Sequence, residues 1–153
     1  MRQQNRYDVY GPAALWPDGT EARPLPEGTV ARGDLARAQE ADHPPPVDAA
    51  LLHRGQERYQ IFCSPCHGAA GFGDGMIVGR GFPAPPSYHT ARLRAAPAQH
   101  FFDVITNGYG VMYSYAARVQ PKDRWAIVAY IRALQLSQQT RLASAPDARE
   151  QLR

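Results

Sequence analysis

The string Cys63-Ser64-Pro65-Cys66-His67 constrains this chain more than any other feature, because it contains both of its cysteines. A C-x-x-C-H string is the attachment signature of a c-type haem. The spacing has a mechanical basis. On a helical turn, residues three apart share a face, so Cys63 and Cys66 can each form a thioether to one haem vinyl group. His67, four residues after Cys63, then sits beneath the iron and can ligate it through an imidazole nitrogen.

Three rival readings fit the residues less well. A thioredoxin-like C-x-x-C needs a strand before it and a redox helix after it, whereas here a helical segment precedes and a glycine-rich loop follows. A structural zinc site needs two further ligands at a second clustered spacing, and His43, His53, His89 and His100 are scattered singly. A disulfide between Cys63 and Cys66 leaves His67 without a role.

At 153 residues the chain has room for one domain and some extra. The formal charge is +3, and Lys122 is the only lysine among 17 cationic residues. Two haem propionates would remove much of that charge, and no basic run or aromatic-interleaved patch points to nucleic acid. The longest apolar run, Trp125 to Ile131, is far too short to span a bilayer. The opening residues MRQQNRYDVYGP lack the apolar core of a secretory signal, although haem c is normally attached outside the cytoplasm. The export signal is therefore expected to lie outside this sequence.

Residues 1–46 hold seven of the 14 prolines and show no helical or alternating period. Pro12, Pro17, Pro24 and Pro26 break any helix, and Pro44-Pro45-Pro46 makes a stiff extended spacer. Tyr7, Tyr10, Leu15, Trp16, Leu25 and Val30 are spaced like anchors of an extended arm, docked either on its own domain or on a partner subunit. The haem domain is expected over residues 47–140, with a C-terminal tail at 141–153. Asp48 predicts the N-cap of a helix through Ile61, with Leu51, Leu52, Gly55, Tyr59 and Phe62 facing inward. Gly55 costs a helix interior about 1 kcal/mol against alanine, which predicts a close crossing with the last helix. That last helix begins near Pro121, with Trp125, Val128, Ile131 and Leu134, or Ile127, Tyr130 and Leu134, as its apolar face. A third helix is predicted from Pro97 to Thr106, stopping at Asn107-Gly108. The fold class is all-α: three to four helices around one covalently bound haem, with an extended proline-rich N-terminal arm.

An electron carrier needs a second axial ligand, and methionine raises the potential relative to a second histidine. Met1, Met76 and Met112 are the candidates. Met76 follows His67 by nine residues in a glycine-rich loop. Met112 follows the flexible Asn107-Gly108-Tyr109-Gly110 turn, which can bring the backbone close over the distal haem face. Met112 is the expected ligand; plain core filling is the alternative for it, and His89 and His100 are the fallback ligands. The proximal ring also needs orienting through its other nitrogen, and the segment Phe82–Ser87 is suited to offer a carbonyl.

C-x-x-C-H, a proline loop, a glycine-preceded methionine and a C-terminal helix with an inward aromatic together resemble a class I cytochrome c over residues 47–140. The strings RGQERYQIFCSPCHGAAGFGDGM, RGFPAPPSYH, FFDVITNGYGVMYSYA and DRWAIVAYIRALQLSQ resemble the monohaem cytochrome c subunit (ActE-like) of bacterial alternative complex III. WPDGTEARPLPEGTVARG is similar to that family's arm. The resemblance implies one covalent haem c on Cys63 and Cys66, His67 as proximal and Met112 as distal iron ligand, and no catalytic residue. It implies as partners a multihaem cytochrome, an iron–sulfur subunit and quinol-handling membrane subunits, with electrons passing towards a terminal oxidase or soluble carrier. It also implies a location at the periplasmic side of the inner membrane. Tyr113 stands where class I cytochromes often have a proline, and the N-terminal cysteine that often carries a lipid in this subunit family is missing. A stand-alone carrier, a haem enzyme or sensor with a labile distal ligand, and a haem-free thiol oxidoreductase are the competing functions.

Overall fold

The computed structural model describes residues 4–8 and 11–139 and divides the chain into two units, Met1–Asp34 and Leu35–Arg153. Met1, Tyr10 and the expected tail at 141–153 lie outside the described residues. Within the first unit, a loop closes where Pro12 and Thr20 form an isolated bridge and the Ala13 amide donates to the Gly19 carbonyl at 2.9 Å. Trp16 is held locally, with the Arg23 guanidinium 4.6 Å above its ring and Arg23 also paired to Asp18 at 2.6 Å. Tyr7, Leu15, Leu25 and Val30 are exposed.

Six α-helices and one 3₁₀ turn are found among the described residues, and no strand. This is the all-α architecture expected of a class I cytochrome c. The first helix, α1 (Asp34–Asp42), falls within the stretch that shows no helical period. Its sequence DLARAQEAD is rich in helix formers yet buries none of its residues, so there is no apolar stripe to read. The Trp125 indole N–H caps its last turn, donating to the Glu40 and Ala41 carbonyls at 3.1 Å each.

Helix α2 (Ala49–Phe62) starts as the sequence predicts: the Asp48 carboxylate accepts from the Leu51 amide at 2.7 Å. Leu51, Gly55 and Tyr59 are its buried face. Helix α6 (Pro121–Ser137) crosses it at Gly55, where a β-carbon would sit 2.0 Å from the Ala126 carbonyl oxygen. The close crossing expected from Gly55 is therefore real. Both alternative apolar faces of α6 are used, since Trp125, Ile127, Val128 and Ile131 are all buried. Arg54 adds a bidentate pair to Asp123 at the start of α6, at 2.7 and 2.9 Å.

Helix α3 (Ser64–His67) is a single turn continuing from α2, and α4 (Ala91–Ala95) is a five-residue helix capped by Thr90. Helix α5 (Ala98–Asn107) follows, with Pro97 as its N-cap and Gly108 just past its end. Phe101, Phe102 and Ile105 of α5 meet α6, where the Phe102 and Trp125 rings stack at 4.3 Å. The main core thus lies between α2, α5 and α6, and Cys63 and Met112 pack against its margin.

Candidate functional site

Cys63 is both the C-cap of α2 and the N-cap of α3, so the C-x-x-C-H residues form the helical turn their spacing requires. The turn is tied from behind by the glycine-rich loop that follows it. The amides of Gly73, Gly75 and Ile77 donate to the carbonyls of His67, Cys66 and Pro65 at 2.8, 3.1 and 3.1 Å. A β-carbon on Gly75 would lie 2.3 Å from the Pro65 carbonyl oxygen, so only glycine allows this approach. The Gly68 carbonyl, at the end of the turn, accepts from the buried Tyr59 hydroxyl at 2.7 Å. The three last carbonyls of the motif are thus satisfied by the chain itself, which makes the turn rigid.

Burial sets the electrostatics. It pushes the His67 imidazole down to about 4, which keeps the ring neutral at pH 7, the form that ligates a metal. It pushes the Cys63 thiol up to about 12, with Cys66 adding in the same direction. A nucleophilic redox cysteine needs the opposite shift, so the thiol oxidoreductase reading loses its chemical basis at Cys63. Both cysteines are free of a disulfide.

The His67 ring is not oriented as the sequence suggests. Its Nδ1 is buried without a hydrogen-bond partner, and no carbonyl of Phe82–Ser87 reaches it. The Pro85 carbonyl instead packs against Gly73. The His67 ring lies flat against Tyr88, with centroids 4.7 Å apart and planes 13° from parallel. Sequence reasoning missed Tyr88; its only signal is an aromatic two residues after the proline run.

The candidate methionines differ sharply in surroundings. Met76 is 61% exposed, and its neighbours Gly75 and Ile77 are bonded to the C-x-x-C-H turn, which anchors it beside that turn. Met112 is half-buried and packs against the main core. It sits in a hairpin closed by reciprocal bonds between Tyr109 and Met112, both 3.0 Å, around Gly110-Val111. Gly110 has φ +59°, the conformation a two-residue hairpin turn needs at its first central position. Tyr113 is exposed. Of the fallback ligands, His89 Nε2 bonds to the Ala70 carbonyl at 2.8 Å, and His100 packs edge-on against Phe101.

A cavity of about 320 Å³ opens between the proline loop and this hairpin, lined by Phe82, Pro83, Gly110, Val111 and Tyr113. No cluster of three or more histidines, cysteines or carboxylates forms a bare-ion site among the described residues. The donor set fits a haem better than an ion. Two unpaired thiols and a neutral imidazole with an orphaned nitrogen share one rigid turn, and a half-buried thioether packs against the same core as Cys63.

Residues 50–131 match the family model described as cytochrome c oxidase, cbb3-type, subunit III. The chain belongs to this cytochrome c family. The family implies haem c and haem-based electron transfer, and the matched residues run from α2 into α6. A search of curated proteins found no match. Among solved structures, the cytochrome is similar to a chain of the Kuenenia stuttgartiensis reducing HAO-like protein complex, with 24% identity and a TM-score of 0.54. The alignment covers 61% of this chain and 48% of that one, so the cytochrome spans about half the length of its neighbour and shares its fold there. Cytochromes c are typically extracytoplasmic, and among the described residues no helix is long and apolar enough to cross a membrane.

Proposed function

We propose that this cytochrome carries one haem c, bound covalently through Cys63 and Cys66, with His67 as proximal and Met112 as distal iron ligand. When bound, the haem supplies a one-electron couple between ferric and ferrous iron. The observation that carries the reading is the α3 turn, which presents two free thiols and a neutral buried imidazole on a backbone locked from behind. Met112 supports it as the half-buried methionine, packed against the same core as Cys63, while Met76 is exposed. With both axial positions filled by side chains, no position is left for a substrate, and the role is that of an electron carrier.

We further read the chain as a subunit of a quinol-oxidising respiratory complex of the alternative complex III type, at the periplasmic side of the inner membrane. It would take electrons from a multihaem cytochrome and pass them towards a terminal oxidase or soluble carrier. In this reading residues 1–46 contact partner subunits, 47–140 form the cytochrome domain and 141–153 a tail. The exposure of Leu15, Leu25 and Val30, at 70, 77 and 79%, supports a subunit-contacting arm. Arg80, Arg92, Arg94, Arg118 and Lys122 are all exposed and available to an acidic partner.

A labile distal ligand is the second reading. The Met112 hairpin is the observation that favours it, because Tyr109, Val111 and Tyr113 beside Met112 are all exposed. The near-infrared methionine–iron band of the ferric protein separates the two. Met112→Ala is expected to abolish the band and open the iron to carbon monoxide, while Met76→Ala keeps the band. A band lost in Met76→Ala but kept in Met112→Ala overturns the ligand assignment, and rapid carbon monoxide binding by the unmodified ferrous protein favours the labile site.

A further inference from the structure

We infer that Tyr88 is a positioning residue for the proximal ligand: its ring fixes the plane of the His67 imidazole and stabilises the oxidised state of the haem held there. The inference rests on the proposed ligation by His67 and adds a determinant of potential to it. Three observations carry it. First, Tyr88 meets His67 face to face at 4.7 Å and 13°, whereas its contacts with Tyr59 and Phe101 are edge-on, at 6.3 Å and 61° and at 6.1 Å and 71°. Second, His67 Nδ1 has no hydrogen-bond partner, so the stack is the contact that sets the ring plane.

Third, Tyr88 is held from several directions. Its amide donates to the Gly71 carbonyl at 3.0 Å, and its carbonyl accepts from the buried Gln135 side chain at 2.8 Å. Gln135 is in turn fixed by Arg132, which donates to its Oε1 at 2.7 Å and also bonds the Ala96 carbonyl. A β-carbon at Gly71 would come within 2.5 Å of the Tyr88 ring, and Gly71 has φ +80°. A buried glutamine in the last helix whose amide reaches back to Tyr88 is more than is needed to fill space, because the amide's desolvation must be offset by well-made bonds.

The chemical consequence follows from the ring's quadrupole. An imidazole on ferric iron carries more positive charge than one on ferrous iron, and an aromatic face attracts that charge. Tyr88 therefore favours the oxidised state. Removing its π face should raise the reduced-to-oxidised ratio at fixed ambient potential by a factor of up to roughly 30, the ceiling set by the cation–π energy of a full charge.

The test is a redox titration of the holo-protein with two substitutions. Tyr88→Phe keeps the ring and is expected to titrate with the unmodified protein; Tyr88→Leu keeps bulk without the π face and is expected to shift to higher potential. A Tyr88→Leu protein that titrates with the unmodified one, or a Tyr88→Phe shift as large as that of Tyr88→Leu, overturns the inference. If Tyr88→Leu does not accumulate, proton NMR of the unmodified diamagnetic ferrous protein decides. Haem-shifted His67 ring lines with cross-relaxation to the Tyr88 ring are expected. Haem-shifted lines without that contact overturn the inference alone; His67 lines unshifted by haem overturn the proposed ligation and the inference with it.

Discussion

Burial holds the His67 imidazole neutral down to about pH 4, below its ordinary value of 6.5. Because the folded-state value is the lower one, the stability linked to it is complete above about pH 6.5 and is lost as pH falls through about 4. Iron competes with the proton for the same ring, which pushes protonation lower still. On acid titration the holo-protein is therefore expected to keep its low-spin absorption spectrum down to about pH 4. A collapse centred near pH 6.5 would mean that His67 is solvated or unligated. At this scale the helical turn that holds Cys63, Cys66 and His67 is legible because the motif's spacing requires it. Tyr88 and Gln135 are not, since their roles depend on contacts across the chain, with His67 for one and with the Tyr88 and Leu93 carbonyls for the other. A polar residue in the last helix reads as a solvent-facing one until its partners are known.

At the scale of elements, the joint between α2 and α6 is the feature most exposed to a single methyl group. Alanine at position 55 would gain about 1 kcal/mol of helix propensity, yet its β-carbon would meet the Ala126 carbonyl at 2.0 Å. Backbone cannot yield as a flexible side chain can, so overpacking outweighs propensity. Gly55→Ala is expected to destabilise the holo-protein by about 2 kcal/mol or more, read as a lower urea midpoint; an unchanged or raised midpoint would show that the helices do not cross here. The Arg54–Asp123 pair at the same joint is partly solvated and screened by water, so shape dominates charge. Helices α2, α5 and α6 were legible from caps and apolar periods: Asp48 before one, Gly108 after another, Pro121 opening the third. Helix α1 was hidden because none of its residues is fully buried, and α4 because five residues are too few to display a period.

At the scale of the molecule, the cytochrome domain and the arm ask different questions. The domain's core is continued by the site itself, since Cys63 and Met112 pack on the margin of the same cluster that α2, α5 and α6 build. The arm has its own small loop around Ala13 and leaves Leu15, Leu25 and Val30 in the open. Deleting residues 1–33 is expected to leave the haem spectrum of the remaining protein unchanged and to abolish its co-purification with other cytochrome subunits. A truncated protein that co-purifies as well as the full chain would contradict the proposed role of the arm. The central claim, a single haem joined through both cysteines, is tested most directly by the intact mass of the protein after denaturation, when made in a host able to attach haem c. The expected result is the chain mass plus one haem, reverting to the bare chain mass in the Cys63→Ala, Cys66→Ala double variant. An unmodified protein of bare chain mass whose haem is released on denaturation would contradict it.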